Sequence, residues 1–101
     1  MADFVTVAKV NDLQPGDCKV VEVKDRSLAL YNVNGEFFCT DNICLHRQGP
    51  LGEGELEDDI VTCPWHGWQY NVKTGECLFD PDLKLETFEV RIQGDEVQVK
   101  V

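Results

Sequence analysis

Apolar residues at every second position, interrupted at short intervals by turn signals, constrain this chain to β-structure, because strand side chains alternate between two faces whereas a helix repeats near 3.6 residues. The carboxyl end states the pattern most clearly. Phe88, Val90 and Ile92 alternate with charged residues, Gln93-Gly94-Asp95 supplies a turn, and Val97, Val99 and Val101 resume the alternation, which predicts a hairpin with one inward face. Asn34-Gly35 stands between Ser27–Val33 and Glu36–Thr40, and that dipeptide favours the positive φ angles of a two-residue hairpin turn. Gln14-Pro15-Gly16-Asp17 and Lys73-Thr74-Gly75-Glu76 read as further turns. No window of the chain carries a helical stripe. The expectation is an all-β fold, a compact antiparallel sandwich or barrel of about eight to ten short strands. Residues 42–59, rich in Gly, Pro and acid, are the least strand-like and are expected to form a functional loop.

Size and charge narrow the function. At 101 residues and 43% hydrophobic, the chain is expected to form one domain, 1–101, whose thin core a bound metal would help to hold. Leu28-Ala29-Leu30-Tyr31 is the longest apolar run, so neither a membrane span nor a secretory signal is expected, and the predicted location is the cytoplasm. Nineteen acidic residues against nine basic give a net charge of −10, which repels phosphate backbones and anionic membranes; nucleic-acid and membrane partners are disfavoured. Five cysteines, an odd number, read first as thiols or metal ligands and only then as disulfides.

There are only two histidines, His46 and His66. A mononuclear iron oxygenase site needs two histidines and a carboxylate, and a catalytic zinc commonly needs two or three, so any other use of this pair excludes those chemistries. Both fall in short motifs. Cys44-Leu45-His46 and Cys63-Pro64-Trp65-His66 each supply one Cys and one His, separated by the 16 residues Arg47 to Thr62. A common zinc finger takes both cysteines from one knuckle and both histidines from another. A two-iron, two-sulfide centre with Cys on one iron and His on the other accounts for the order found here, because each loop then reaches both irons. The same four residues also suit a structural zinc, or Cys44 and Cys63 a disulfide. Cys18, Cys39 and Cys77 have no His at ligand spacing and read as buried thiols.

Cys44-x-His46 followed by Cys63-x-x-His66 resembles the signature of Rieske iron-sulfur proteins. The flanking His46-Arg47-Gln48-Gly49-Pro50-Leu51 and Cys63-Pro64-Trp65-His66-Gly67-Trp68 are similar to the two cluster loops of ferredoxins from aromatic-ring dioxygenase systems. The resemblance implies one 2Fe-2S cluster per chain, ligated by Cys44, His46, Cys63 and His66, in a subregion of about residues 42–82. It also implies cysteines on the inner iron, histidines on the outer iron near the surface, and a covering loop at Asp80-Pro81-Asp82. Gly49 and Gly67 would let the backbone approach the sulfurs. High-potential respiratory members carry a bridging Cys pair and Ser and Tyr hydroxyl donors. This chain has no Cys beside Trp65 or in Arg47-Gln48-Gly49, has Trp68 at the serine, and matches only the tyrosine, with Tyr70. Two ferric ions, two sulfides and two thiolates sum to zero, so reduction is easier than for a four-Cys cluster; the acidic chain opposes it, and a potential of about −150 to −50 mV is expected.

The implied function is a soluble one-electron carrier, itself no enzyme, that takes electrons from a flavin-dependent reductase and passes them to a terminal, aromatic-ring oxygenase. Docking would be transient and at the cluster end, with Arg47, Gln48, Pro50, Leu51, Trp65 and Pro81 at the rim. Glu53 to Asp59 holds five acids in seven residues and would steer basic partners. Trp68 starts an apolar alternation with Tyr70 and Val72 and reads as core. An alternative is the small Rieske subunit of a nitrite reductase-like complex, and a zinc-stabilised interaction module is a reading from another class.

Overall fold

In the computed structural model, residues 4–23, 26–42, 51–64, 67–80 and 82–100 are described. Among them ten strands run in chain order: β1 (Phe4–Lys9), β2 (Cys18–Val23), β3 (Arg26–Val33), β4 (Glu36–Asp41), β5 (Glu55–Glu57), β6 (Ile60–Thr62), β7 (Gln69–Asn71), β8 (Thr87–Phe88), β9 (Val90–Gln93) and β10 (Glu96–Lys100). They form three antiparallel sheets, ordered β1-β10-β9, β2-β3-β4-β8 and β5-β6-β7. The described residues contain no α-helix.

Strand β3 explains how these sheets stack. Its apolar run is buried on both faces, as a strand between two layers must be. Leu28 and Leu30 point into a core with Val21, Val23, Cys39, Val97 and Val99, against the β1-β10-β9 sheet. Ala29, Tyr31 and Val33 point the other way, into a core with Leu51, Val61, Cys63, Tyr70 and Leu85 beneath the β5-β6-β7 sheet. The Tyr31 hydroxyl would be orphaned there but for the Thr40 hydroxyl 2.9 Å away. Asn32, also buried, donates through Nδ2 to the Leu13 carbonyl and accepts the Gly35 N–H at Oδ1, both at 2.8 Å.

Local signals behave as their chemistry requires. Asn34 (φ 53°) and Gly35 (φ 96°) form the two-residue turn that pairs Val33 with Glu36. Gly16 takes φ 92° where the Asp17 N–H closes on the Gln14 carbonyl at 2.9 Å. Two expectations need correction. Ile92, placed on the inward face of the last hairpin, is 46% exposed, on a strand that forms the edge of its sheet. Within the expected loop 42–59, Glu55–Glu57 is a strand: Leu56 turns inward to the core and the flanking glutamates face water, an alternation masked by the acidic composition.

The β5-β6-β7 sheet is an excursion from the larger sheet, and its two ends meet. Strands β4 and β8 pair through Cys39↔Phe88 and Thr40↔Thr87. Just beyond, the Asp41 N–H donates to the Glu86 carbonyl at 2.9 Å, while Arg26 Nη2 bridges the Asp41 and Glu86 carboxylates at 3.8 and 3.3 Å.

Burial sets an alkaline limit on this frame. It pushes the Cys18 thiol from 9.0 up to about 11, with Asp17 adding to the effect, and the Cys39 thiol up to about 12. Below pH 9 folded and unfolded chains both hold these protons; above it the unfolded chain releases them first. Denaturant melts should therefore show stability falling as pH rises from about 9 towards 12.

Candidate metal centre

Two backbone closures define the site. At the first, Asn42 at the end of β4 accepts the Leu51 N–H at its carbonyl and the Gly52 N–H at its Oδ1, each at 2.8 Å. The chain between, residues 43–50, holds Cys44 and His46, which lie outside the described residues. At the second, the Cys63 N–H donates to the Trp68 carbonyl at 2.7 Å, with Gly67 in the left-handed region at φ 72°. Cys63 and His66 belong to this turn, and His66 and Trp65 also lie outside the described residues.

The two closures are side by side. Leu51–Glu53 forms a single 3-10 turn that leads through Gly54 into β5, and β5 pairs with β6, placing Glu55 opposite Thr62. A Cβ on Gly54 would meet the Thr62 carbonyl oxygen, with Pro64 Cδ at 3.2 Å, so the end of one loop touches the start of the other. Gly52 is seated as tightly: a Cβ there would stand 2.7 Å from Val20 N and Cγ2. Absent side chains, rather than present ones, set this approach.

Cys63 is 1% exposed and packs in the apolar core that contains Leu51, Tyr70 and Cys77. A buried thiol beside the junction of two loops whose sequences carry one further Cys and two His fits a group held by two thiolates and two imidazoles. Burial holds the Cys18 and Cys39 thiols in the neutral form, and Cys77 is buried nearby in that core. Cys18 Sγ faces the Gly54 carbonyl at 3.4 Å, under the first closure.

A third segment borders the site. Leu78 N–H donates to the Gln69 carbonyl at 2.9 Å, and the turn at 80–83 is closed by Leu83 N–H to the Asp80 carbonyl at 3.0 Å; Pro81 itself lies outside the described residues. Trp68, expected in the core, is only half-buried and meets Phe79 edge to face, ring centroids 6.0 Å apart. Leu78 and Phe79 are 48% and 58% exposed, an apolar patch that the reading of the sequence did not single out. Its signal was available: two consecutive apolar residues break the alternation just before Asp80. Leu51, expected at the rim, is instead fully buried because it anchors the 3-10 turn to the core, and it offers no contact surface. Arg47, Gln48, Gly49 and Pro50 lie outside the described residues.

The five acids frame the β5-β6 hairpin. Asp58, at φ 54°, forms its two-residue turn with Asp59, whose carboxylate accepts from Asn71 Nδ2 at 3.4 Å. Among the described residues none of the five is ion-paired. A groove of about 300 Å³ runs between Glu57, Asp58, Asp59 and Leu78, joining acid to the apolar patch.

Comparison with known proteins agrees with this geometry. Residues 3–89 match the family described as Rieske [2Fe-2S] domain. The ferredoxin component of biphenyl 2,3-dioxygenase from Rhodococcus jostii is 38% identical over 92% of this chain and 88% of its own. A chain in the complex of reduced oxygenase and oxidized ferredoxin of carbazole 1,9a-dioxygenase superposes with a TM-score of 0.87 at 37% identity, covering 95% of this chain and 91% of that one. A protein described as a nitrite reductase small subunit from Mycobacterium tuberculosis reaches a TM-score of 0.90 over 100% of this chain and 96% of its own, but at 20% identity it shares the fold alone.

Proposed function

The chain belongs to the Rieske [2Fe-2S] domain family, and from that premise we propose that Cys44, His46, Cys63 and His66 are the ligands of its cluster. The observation that carries this is the meeting of two closed loop bases, Asn42–Leu51 and Cys63–Trp68, each spanning one Cys and one His. We take residues 1–101 as one Rieske domain and about 42–82 as its cluster-binding subregion.

The protein is an electron-transfer component of a multicomponent oxygenase system, as its ferredoxin relatives are. When bound, the 2Fe-2S cluster supplies a one-electron redox site of mixed thiolate and imidazole ligation. The protein's part is to bury Cys63 and to bring both loop ends to one edge of the β5-β6-β7 sheet. The terminal partner in this reading is an oxygenase acting on an aromatic ring, and the donor is a flavin-dependent reductase. Docking uses the cluster end, with Leu78 and Phe79 as its apolar part and the acids of 53–59 as a rim for basic groups. The unpaired thiols of Cys18, Cys39 and Cys77 suit a reducing compartment, which supports a cytoplasmic location. No helix among the described residues is long and apolar enough to cross a membrane.

The test is a potential-controlled titration of anaerobically purified protein, read by electron paramagnetic resonance. A spin-half signal of mixed Cys/His type, with a midpoint of about −150 to −50 mV, supports the carrier; a colourless, zinc-containing protein sinks it. In His66→Cys protein an added thiolate should lower the midpoint or eliminate the signal. An unchanged midpoint would remove His66 from the ligand set.

A further inference from the structure

Asn42 is a polar residue buried at the mouth of the first ligand loop, and every polar contact it makes ties that mouth shut. Its N–H donates to the Ser27 carbonyl on β3 at 3.2 Å, its carbonyl accepts from Leu51, and its Oδ1 accepts from Gly52. One residue thus fixes the loop's departure to the central strand and its return to the departure. The return is pinned from the other side too, since Gly52 sits against Val20 with no room for a Cβ. Gly52 N–H is buried in this contact, and without the Asn42 amide it would lose its acceptor away from water. Cys44 stands two residues past Asn42, and His46 two residues further.

We infer that Asn42 is the positioning residue of the first ligand loop: its side-chain amide, by holding Gly52, sets the separation of the loop's two ends and so the placement of Cys44 and His46 towards the cluster. This rests on the ligand assignment proposed above. Groups that orient a metal's ligands commonly govern its retention by about tenfold or more, although they touch no metal themselves, and Asn42 would do so through the loop's ends.

A built-in control exists. Asn32 is equally buried and its Oδ1 likewise accepts a glycine N–H, that of Gly35, but at the β3-β4 turn, where its Nδ2 also donates to the Leu13 carbonyl. The experiment compares iron release to a ferrous chelator, and the resonance line shape, in wild-type, Asn42→Ala, Asn42→Asp and Asn32→Ala holoproteins. Asn42→Ala should release iron about tenfold faster than Asn32→Ala at equal distance below each protein's melting temperature, with a broadened signal. Asn42→Asp keeps the acceptor for Gly52 and should restore retention. Equal rates in the two alanine variants, or an Asn42→Asp protein as leaky as Asn42→Ala, would overturn the inference. If Asn42→Ala does not fold, hydrogen-deuterium exchange of wild-type holoprotein decides: slow exchange at residues 51–52 supports the clamp, and fast exchange overturns it. A wild-type protein with no iron and no signal would instead overturn the ligand assignment, which separates the two failures.

Discussion

Cys63→Ala protein, expressed and purified anaerobically beside the wild type, should contain no 2Fe-2S cluster and give no spin-half signal on reduction. The substitution removes a buried sulfur from the junction of both loops, and on the proposed assignment it would take away one of the two thiolates that would hold the cluster and balance its charge. Stability should fall with it, because whatever binds only the folded state adds its binding free energy to folding. A loss of about 3 kcal/mol of that linkage lowers the melting temperature of a domain this size by roughly 12–24 °C. Cys77→Ala separates ligation from packing. Cys77 is buried in the same apolar core, so its loss costs comparable packing, yet iron and signal should persist. Retention of iron by Cys63→Ala, or its loss from both variants, would strike Cys63 from the ligand set.

The second large effect is expected from one methyl group at Gly54. A Cβ there meets the Thr62 carbonyl oxygen, which is backbone and cannot swing aside. Either the Glu55↔Thr62 rung opens or β6 shifts, and β6 leads directly into Cys63. Gly54→Ala should thus cost about 1–3 kcal/mol in denaturant melts and strip much of the iron as well. Gly94→Ala supplies the contrast. Nothing lies within 4 Å of a Cβ at Gly94, but its φ of 65° penalises one, so a loss of about 1–2 kcal/mol with full iron content is expected. Iron content unchanged in Gly54→Ala would show that the loop junction is not what places the ligands.

Gly54 and Gly52 also mark where reading the sequence stops. Ligand chemistry is written in side-chain types and spacing, so the proposed set Cys44, His46, Cys63 and His66 stands out from the chain alone. The hairpins are equally legible, since Asn34-Gly35 and Gln93-Gly94-Asp95 join a turn chemistry to an alternation on both sides. What carries no side-chain signature is the approach of backbone to backbone. Gly54 against Thr62 and Gly52 against Val20 look, in sequence, like any loop glycines. Leu51 was misplaced for a related reason: it sits among residues of a surface motif, and only the 3-10 turn aims it inward. The pairing of β1 with β10, from Phe4↔Lys100 to Lys9↔Glu96, joins the chain's extremes, and no local pattern announces it.

The rung at Asp41 and Glu86, with Arg26 held across it, has a consequence for how such a carrier diversifies. Among the described residues no strand pairing joins β5, β6 or β7 to the other seven strands, so the segment between these two residues is tied to the frame by this rung and by packing, with Leu51, Val61, Cys63 and Tyr70 sharing a core with Ala29, Tyr31 and Val33. Length changes inside it leave the register of those seven strands untouched. The exposed residues of that segment are therefore freer to change than Leu51, Val61 and Tyr70, whose side chains the scaffold itself packs against.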